Sequence, residues 1–286
     1  MFSALANIRR IWWQTTGTVL FNFPFIERLT FAWCPAPVLN CYACPIAQVA
    51  CPIGSLQHFL VVGSLPLFVV GLTAAFGMLA GRFTCSHLCP FGFFQDLLAR
   101  ITRRKWRIPS FLGYGKYLSL VLLALILPPI VKEPFFCTLC PAGSLEAGIP
   151  IVTQAWVEKR LGAAEMFGSS FGILSMIGVW FWFKIAILAA MVAAAVVIRR
   201  PFCRMACPLG AILGLFNRIS LFIHPRPAAN GRPRLNLRTC PVGIIHPGQV
   251  DSHHCIKCRE CYPRLNAGGD NRKDDTGAGM SRSPIG

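Results

Sequence analysis

The sequence predicts an all-α integral membrane protein with about four transmembrane helices in two parallel Cys-Pro-x-Gly repeats, followed by a small cysteine-bearing C-terminal segment. Three observations predict it. The 286-residue chain is 54% hydrophobic and only 14% charged, with a mean hydropathy of +0.54, whereas soluble domains carry about 25% charged residues. Its apolar residues gather in runs that reach the roughly 20 residues a bilayer crossing takes. Cys-Pro-x-Gly occurs five times, at Cys51, Cys89, Cys140, Cys207 and Cys240, and the copies alternate with the apolar runs.

Residues 56–80, 114–131 and 171–198 are the three clear spans. A weaker fourth, residues 11–33, contains Gln14, Asn22, Pro24, Glu27 and Arg28, so it spans imperfectly or lies partly in the interface. Arg9-Arg10 precedes it and no small-residue cleavage site follows, which reads as a retained first segment rather than a removed leader.

Loop charge orients these spans. Loop 81–113 carries Arg82, Arg100, Arg103, Arg104, Lys105 and Arg107 against Asp96 alone, and residues 199–286 hold 14 basic and 5 acidic residues. Segment 34–55 has no charge, and 132–170 has three basic and four acidic residues. Positive loops stay cytoplasmic, so both termini and loop 81–113 face inward, while 34–55 and 132–170 face outward. The expected location is a bacterial inner membrane, crossed several times.

The repeat follows that topology: outer motif (Cys51), span, inner motif (Cys89), then outer motif (Cys140), span, inner motif (Cys207). The two halves run parallel. Each motif opens an apolar or amphipathic run, and proline suits the first helical position. The helix N-terminus then presents partial positive charge to a thiolate. The organisation is a membrane domain over 1–223, a cytoplasmic segment over 224–265 that begins with a proline- and arginine-rich linker, and a disordered tail over 266–286.

Fourteen cysteines beside Pro/Gly turns point to soft-metal ligation, and iron–sulfur clusters are held chiefly by cysteine. Cys255, Cys258 and Cys261 form the Cys-x2-Cys-x2-Cys run of bacterial ferredoxins. The position of that run's fourth cysteine is Leu265, and Cys240, before Pro241, supplies the outstanding ligand for one [4Fe–4S] cluster. Zinc, which also accepts four thiolates, is the competing reading. Cys85, Cys89, Cys203 and Cys207 come from equivalent halves on one side and number enough for one cluster; buried structural thiols are the alternative. On the outer side, Cys44 and Cys51 with Cys137 and Cys140 make one set, and Cys34, Cys41, Cys44 and Cys51 make another. Disulfides among these outer thiols are a third reading, should that compartment be oxidising. In all, two or three clusters are expected.

Four spans, two inner Cys-x3-Cys-Pro motifs and the ferredoxin-type run resemble the NapH/MauN group of membrane iron–sulfur proteins, related to NosR, with a NapH-like 4Fe-4S binding subgroup nearest. The resemblance covers about residues 9–263. It departs in having one incomplete ferredoxin motif and in the outer Cys41-Tyr-Ala-Cys44-Pro region. The resemblance implies electron transfer between membrane quinol and a redox partner, other subunits of an electron-transfer complex, or the maturation of a periplasmic enzyme. A redox-sensing or assembly factor is the alternative.

Among other polar residues, Gln57, His58 and Lys184 are candidate quinone contacts. Helix-start solvation for the first two, and snorkelling of Lys184 to the interface, compete with that role. His87, between Cys85 and Cys89, reads as a neighbour of the ligands.

Composition also excludes classes. The net charge of +17 lies in loops beside apolar spans rather than on an aromatic stacking surface, so it argues against nucleic acid. It favours an acidic redox partner instead. No nucleophile or acid–base set accompanies the cysteines. A metal transporter would place thiols at mid-membrane, whereas these sit at span ends. With cysteines at both ends, the outer and inner sets are expected about 30 Å apart across the bilayer core, with a quinone carrying electrons between them.

Overall fold

The computed structural model describes residues 10–22, 35–41, 43, 44, 47, 49–102, 106, 109–161, 178–221, 237, 240–244, 250 and 252–261. Among them the chain is helical, with one isolated bridge between Pro35 and Ala50 and no strand. α1 spans Arg10–Asn22, α2 Pro52–Val62, α3 Leu67–Ala80, α4 Phe83–His87 and α5 Pro90–Leu98. α6 is Phe111–Val131 and α7 Phe135–Leu139. α8 runs continuously through Pro141–Gly143, Ser144–Gly148 and Ile149–Leu161. α9 is Val179–Val197, α10 Pro201–Met205 and α11 Pro208–Leu215.

α6 and α9 are long and apolar enough to cross a membrane, with mean hydropathies of 1.7 and 2.1. Both turn large apolar side chains outward: Leu118, Val121 and Leu125 on α6, and Trp180, Trp182 and Phe183 on α9. Contiguous apolar surface of this kind suits lipid rather than water.

The run 56–80, expected as one span, is two helices. Gly63 ends α2 in the left-handed region at φ 81°, and the amides of Gly63 and Ser64 return to the carbonyls of Leu60 and Phe59, as in a Schellman stop. Pro66 then caps α3, where its missing N–H costs nothing. Neither piece spans a 30 Å core, because helices of this length rise only about 16–21 Å. Of the first expected span, α1 covers residues up to Asn22, and residues 23–33 lie outside those described. The start of the last, 171–177, lies outside them too.

Inside α6 the backbone widens to a π-helical stretch over Ser119–Ile126 just before Pro128 and Pro129. Proline brings no N–H and crowds the preceding turn. Gln57 Nε2 instead donates to the Leu123 carbonyl at 3.4 Å, and Gln57 Oε1 accepts from the Cys137 amide at 3.4 Å. One buried side chain thus ties α2, α6 and α7 together.

A small cluster of Val242, Ile244, Cys255 and Ile256 packs in the tail, and the main core is a larger body among the helices. Leu39, Cys51, Ile53, Cys85, Cys89, Phe91, Phe136, Cys140, Phe202 and Cys207 are buried within it. α1 lies on this body through Gly17, where an added Cβ would come within 2.9 Å of the Leu88 carbonyl.

Candidate metal centres

Four Cys-Pro-x-Gly copies fold alike. Cys51, Cys89, Cys140 and Cys207 each cap the N-terminus of a helix, with φ between −72° and −67°, ψ between 111° and 127°, and proline at the first helical position. The amide of the glycine three residues on points at the thiol in all four, from Gly54, Gly92, Gly143 and Gly210. Gly210 N lies 3.4 Å from Cys207 Sγ. Sulfur here takes the place that a serine or aspartate oxygen holds in an ordinary cap, and the helix N-terminus favours it as a thiolate.

In the middle group, α4 and the start of α5 bring Cys85 and Cys89 to Cys203 and Cys207 of α10 and α11. All four are buried. Burial first, then the neighbouring thiols, pushes Cys89 and Cys207 well above the ordinary thiol range. Gln95 Nε2 donates to Cys203 Sγ at 3.2 Å, and the Leu39 amide donates toward Cys89. His87 stacks on Phe83 at 4.0 Å and pairs its Nδ1 with Ser86 Oγ at 2.5 Å. Burial, then Arg10, pushes its pKa down to about 4, so the ring is neutral beside the group.

The outer group joins Cys51, Cys137 and Cys140, and Cys41 stands with them. Each of these three thiols feels Cys41 as a close charge, and Cys41 Sγ lies 3.6 Å from where a Cβ at Gly143 would sit. Cys44 turns back on Cys41, its amide bonded to the Cys41 carbonyl at 3.0 Å. The Cys44 thiol is buried and close enough to act on Cys41 as a charge, so Cys41 and Cys44 both stand at this group. Cys34 lies outside the described residues. Burial pushes Cys41 and Cys51 up to about 11. Glu146, which the sequence reading did not single out, accepts from the Cys41 amide at 2.7 Å, and burial raises it to about 7.

The tail group is Cys240, Cys255, Cys258 and Cys261, which line one cavity with Val242, Ile244 and Ile256. Lys257 and Arg259 adopt φ of 52° and 60°. These left-handed turns, costly for residues with a Cβ, fold the Cys-x2-Cys-x2-Cys run around the cavity. The Ile244 amide lies 3.4 Å from Cys240 Sγ and the Lys257 amide 3.4 Å from Cys255 Sγ. Burial pushes Cys258 up to about 12.

Among the described residues, no three His, Cys, Asp or Glu side chains close on a single metal ion. Cysteine-only groups with amide donors aimed at several of the sulfurs are the donor set that iron–sulfur clusters take, and four thiolates also suit zinc. Raised thiol pKa values mean that cation binding releases protons.

The groups adjoin. Leu39, bonded to Cys89, is two residues from Cys41, and two residues of chain reach only about 7 Å. Phe136, beside Cys137, meets Phe202, beside Cys203, with ring centres 6.4 Å apart. The expected separation of about 30 Å between outer and inner thiols is therefore corrected: one apolar core holds both groups. The tail docks on the middle group. Arg82 reaches the carbonyls of His253 and His254 at 2.9 and 3.2 Å, Lys116 reaches His253 O at 2.7 Å, and Asn217 reaches Ser252 O and Cys255 O, both at 2.7 Å.

Residues 61–109, 117–150 and 179–227 match the model of a 4Fe-4S binding domain. The match supports iron–sulfur binding. Cys85 and Cys203 fall at the same offset in the first and third stretches. The chain is 25% identical over 224 residues to an uncharacterized protein of Methanocaldococcus jannaschii, across 74% of this chain and 81% of that one. It is 31% identical over 193 residues to the regulatory protein NosR of Pseudomonas aeruginosa, and 28% identical over 210 residues to protein NirI of Paracoccus denitrificans. These matches take in 66% and 70% of this chain but only 24% and 27% of the relatives, so the chain spans about a quarter of their length. No solved structure matches. The chain is thus similar to NosR and NirI over about two thirds of its own length.

Of the candidate quinone contacts, Gln57 is buried and spent on backbone at both ends of its amide. His58 is exposed, and Lys184 is half-buried on α9. The sequence reading missed Arg82 and Arg200. Both stand three residues before a Cys-x3-Cys-Pro-x-Gly motif, a signal hidden among loop arginines credited to topology.

Proposed function

We propose that the chain is a membrane-bound electron-transfer protein holding three [4Fe–4S] clusters. Cys240, Cys255, Cys258 and Cys261 hold one, Cys85, Cys89, Cys203 and Cys207 another, and Cys41, Cys51, Cys137 and Cys140 the third. Each cluster supplies one-electron uptake and release. The observation that carries the reading is the adjacency of three four-thiol groups, the middle one touching both of the others. The chain's own work is to bury the thiols, exclude water and aim amide donors at sulfur.

We assign the protein to a bacterial inner membrane, with the tail on the basic cytoplasmic side, facing an acidic redox partner. A quinol as electron donor rests on His58 and Lys184, since Gln57 is spent. The equivalence of the Arg82–Gly92 and Arg200–Gly210 segments supports a duplicated, parallel arrangement. A second reading, redox sensing, is favoured by the description of NosR as a regulatory protein.

The test is iron and sulfide analysis of the anaerobically purified full chain, with spectra of serine variants in each group. Each variant should lose about four irons and one centre. Stoichiometric zinc without iron in any group rejects the cluster there. Loss of different centres in the Cys85→Ser and Cys203→Ser variants rejects the shared middle site.

A further inference from the structure

Two arginines lie fully buried against the middle group, and they are exchanged between the repeats. Arg200 Nη1 donates to the Cys85 carbonyl at 2.8 Å, while Arg82 Nη2 donates to the Cys203 carbonyl at 3.1 Å. Each arginine thus holds the cysteine of the opposite segment that corresponds to the one three residues after itself. The glycines ending the motifs make room for them. A Cβ at Gly92 would stand 3.4 Å from Arg200 Nη2, and one at Gly210 would stand 3.2 Å from Arg82 Nη2.

The two cations differ in charge environment. Arg200 Nε and Nη2 grip Asp96 at 2.8 and 2.6 Å, and Arg10 joins the same carboxylate. The Arg82 guanidinium donates to main-chain carbonyls, those of Cys203, His253 and His254, while the Arg82 amide donates to Asn217 Oδ1. Among the described residues no carboxylate pairs with it, and its buried Nε has no hydrogen-bond partner. A buried cation without an anion is costly unless a nearby group supplies the negative charge, and four thiolates with a cluster do so.

We propose that Arg82 is a positioning cation of the middle centre: it raises that centre's reduction potential and ties it to the docked tail, while Asp96, shared between Arg200 and Arg10, offsets part of the matching effect of Arg200. The inference rests on the middle cluster proposed above. Taking up an electron adds negative charge, which a fixed cation stabilises, and cluster potentials follow local charge and hydrogen bonding.

The experiment is a potentiometric titration of the anaerobically purified full chain, followed by EPR, with iron per chain measured alongside. The middle centre is first identified as the signal lost in both Cys85→Ser and Cys203→Ser. Arg82→Gln should keep its iron and shift that centre to lower potential, leaving the outer centre unmoved, and Arg82→Lys should restore most of the shift. Asp96→Asn, which uncovers the Arg200 charge, should shift the same centre to higher potential. Arg82→Gln and Arg82→Lys shifting alike, or an unshifted Asp96→Asn centre, overturns the proposal. If no signal is common to the two cysteine variants, the cluster reading fails instead.

Discussion

Cys41 and Cys44 are three residues apart, and each thiol acts on the other as a near charge. Cys41 stands among Cys51, Cys137 and Cys140, its amide held by Glu146. Cys41→Ser should therefore abolish the outer centre in low-temperature EPR, and Cys44→Ser should leave it; the reverse pattern would return Cys44 to the ligand set. Asp96 is a second residue whose role follows from its surroundings. Burial pushes its carboxyl up, but Arg200 and Arg10 outweigh that and hold it well below the usual carboxylate range. A depressed carboxyl contributes stability that is whole above the unfolded value of about 3.9 and fades as pH falls toward the folded one. Asp96→Asn should cost about 3 kcal/mol at neutral pH. The gap to the wild type should narrow below about pH 4, as followed by denaturant unfolding in detergent.

At the scale of elements, the break between α2 and α3 shows how punctuation overrides hydropathy. The run 56–80 is apolar throughout its second half, yet Gly63 and Pro66 divide it. Nothing lies within 4 Å of a Cβ at Gly63, so only its φ of +81° resists substitution. Gly63→Ala should destabilise by about 1 kcal/mol through backbone strain alone. A shift in thermal unfolding without any loss of iron checks it; an unchanged midpoint would show the break to be freely deformable. The four cysteine-capped helix starts belong to this scale too. Their shared dihedral angles follow from a local pattern, which is why they were legible in the sequence.

For the whole molecule, adjacency of the three thiol groups changes how electrons are expected to move. Groups joined by Leu39, Phe136 and Phe202 need no diffusing carrier between them. In detergent freed of quinone, mixing with a one-electron reductant should bring all centres to equilibrium in one rapid phase. A slow phase that appears only when quinone is added would contradict this. The tail's docking through Arg82, Lys116 and Asn217 predicts that the same phase includes the tail centre.

The sequence by itself was enough to point to long apolar helices, the helical class and the cysteine-capped helix starts, because hydropathy and short spacing act over a few residues. It also led to the expectation that Cys240 joins the Cys255 run, since ligand spacing in such runs is local, and the four line one cavity. Tertiary structure alone decided that Cys41 lies near Cys51, Cys137 and Cys140, how near the groups lie, and what Arg82 and Arg200 hold. Those outcomes depend on segments about 120 residues apart in the chain, as Arg82 and Cys203 are, meeting in one packed core. No local pattern carries that information; the close packing of Phe91, Phe136 and Phe202 around the thiols does.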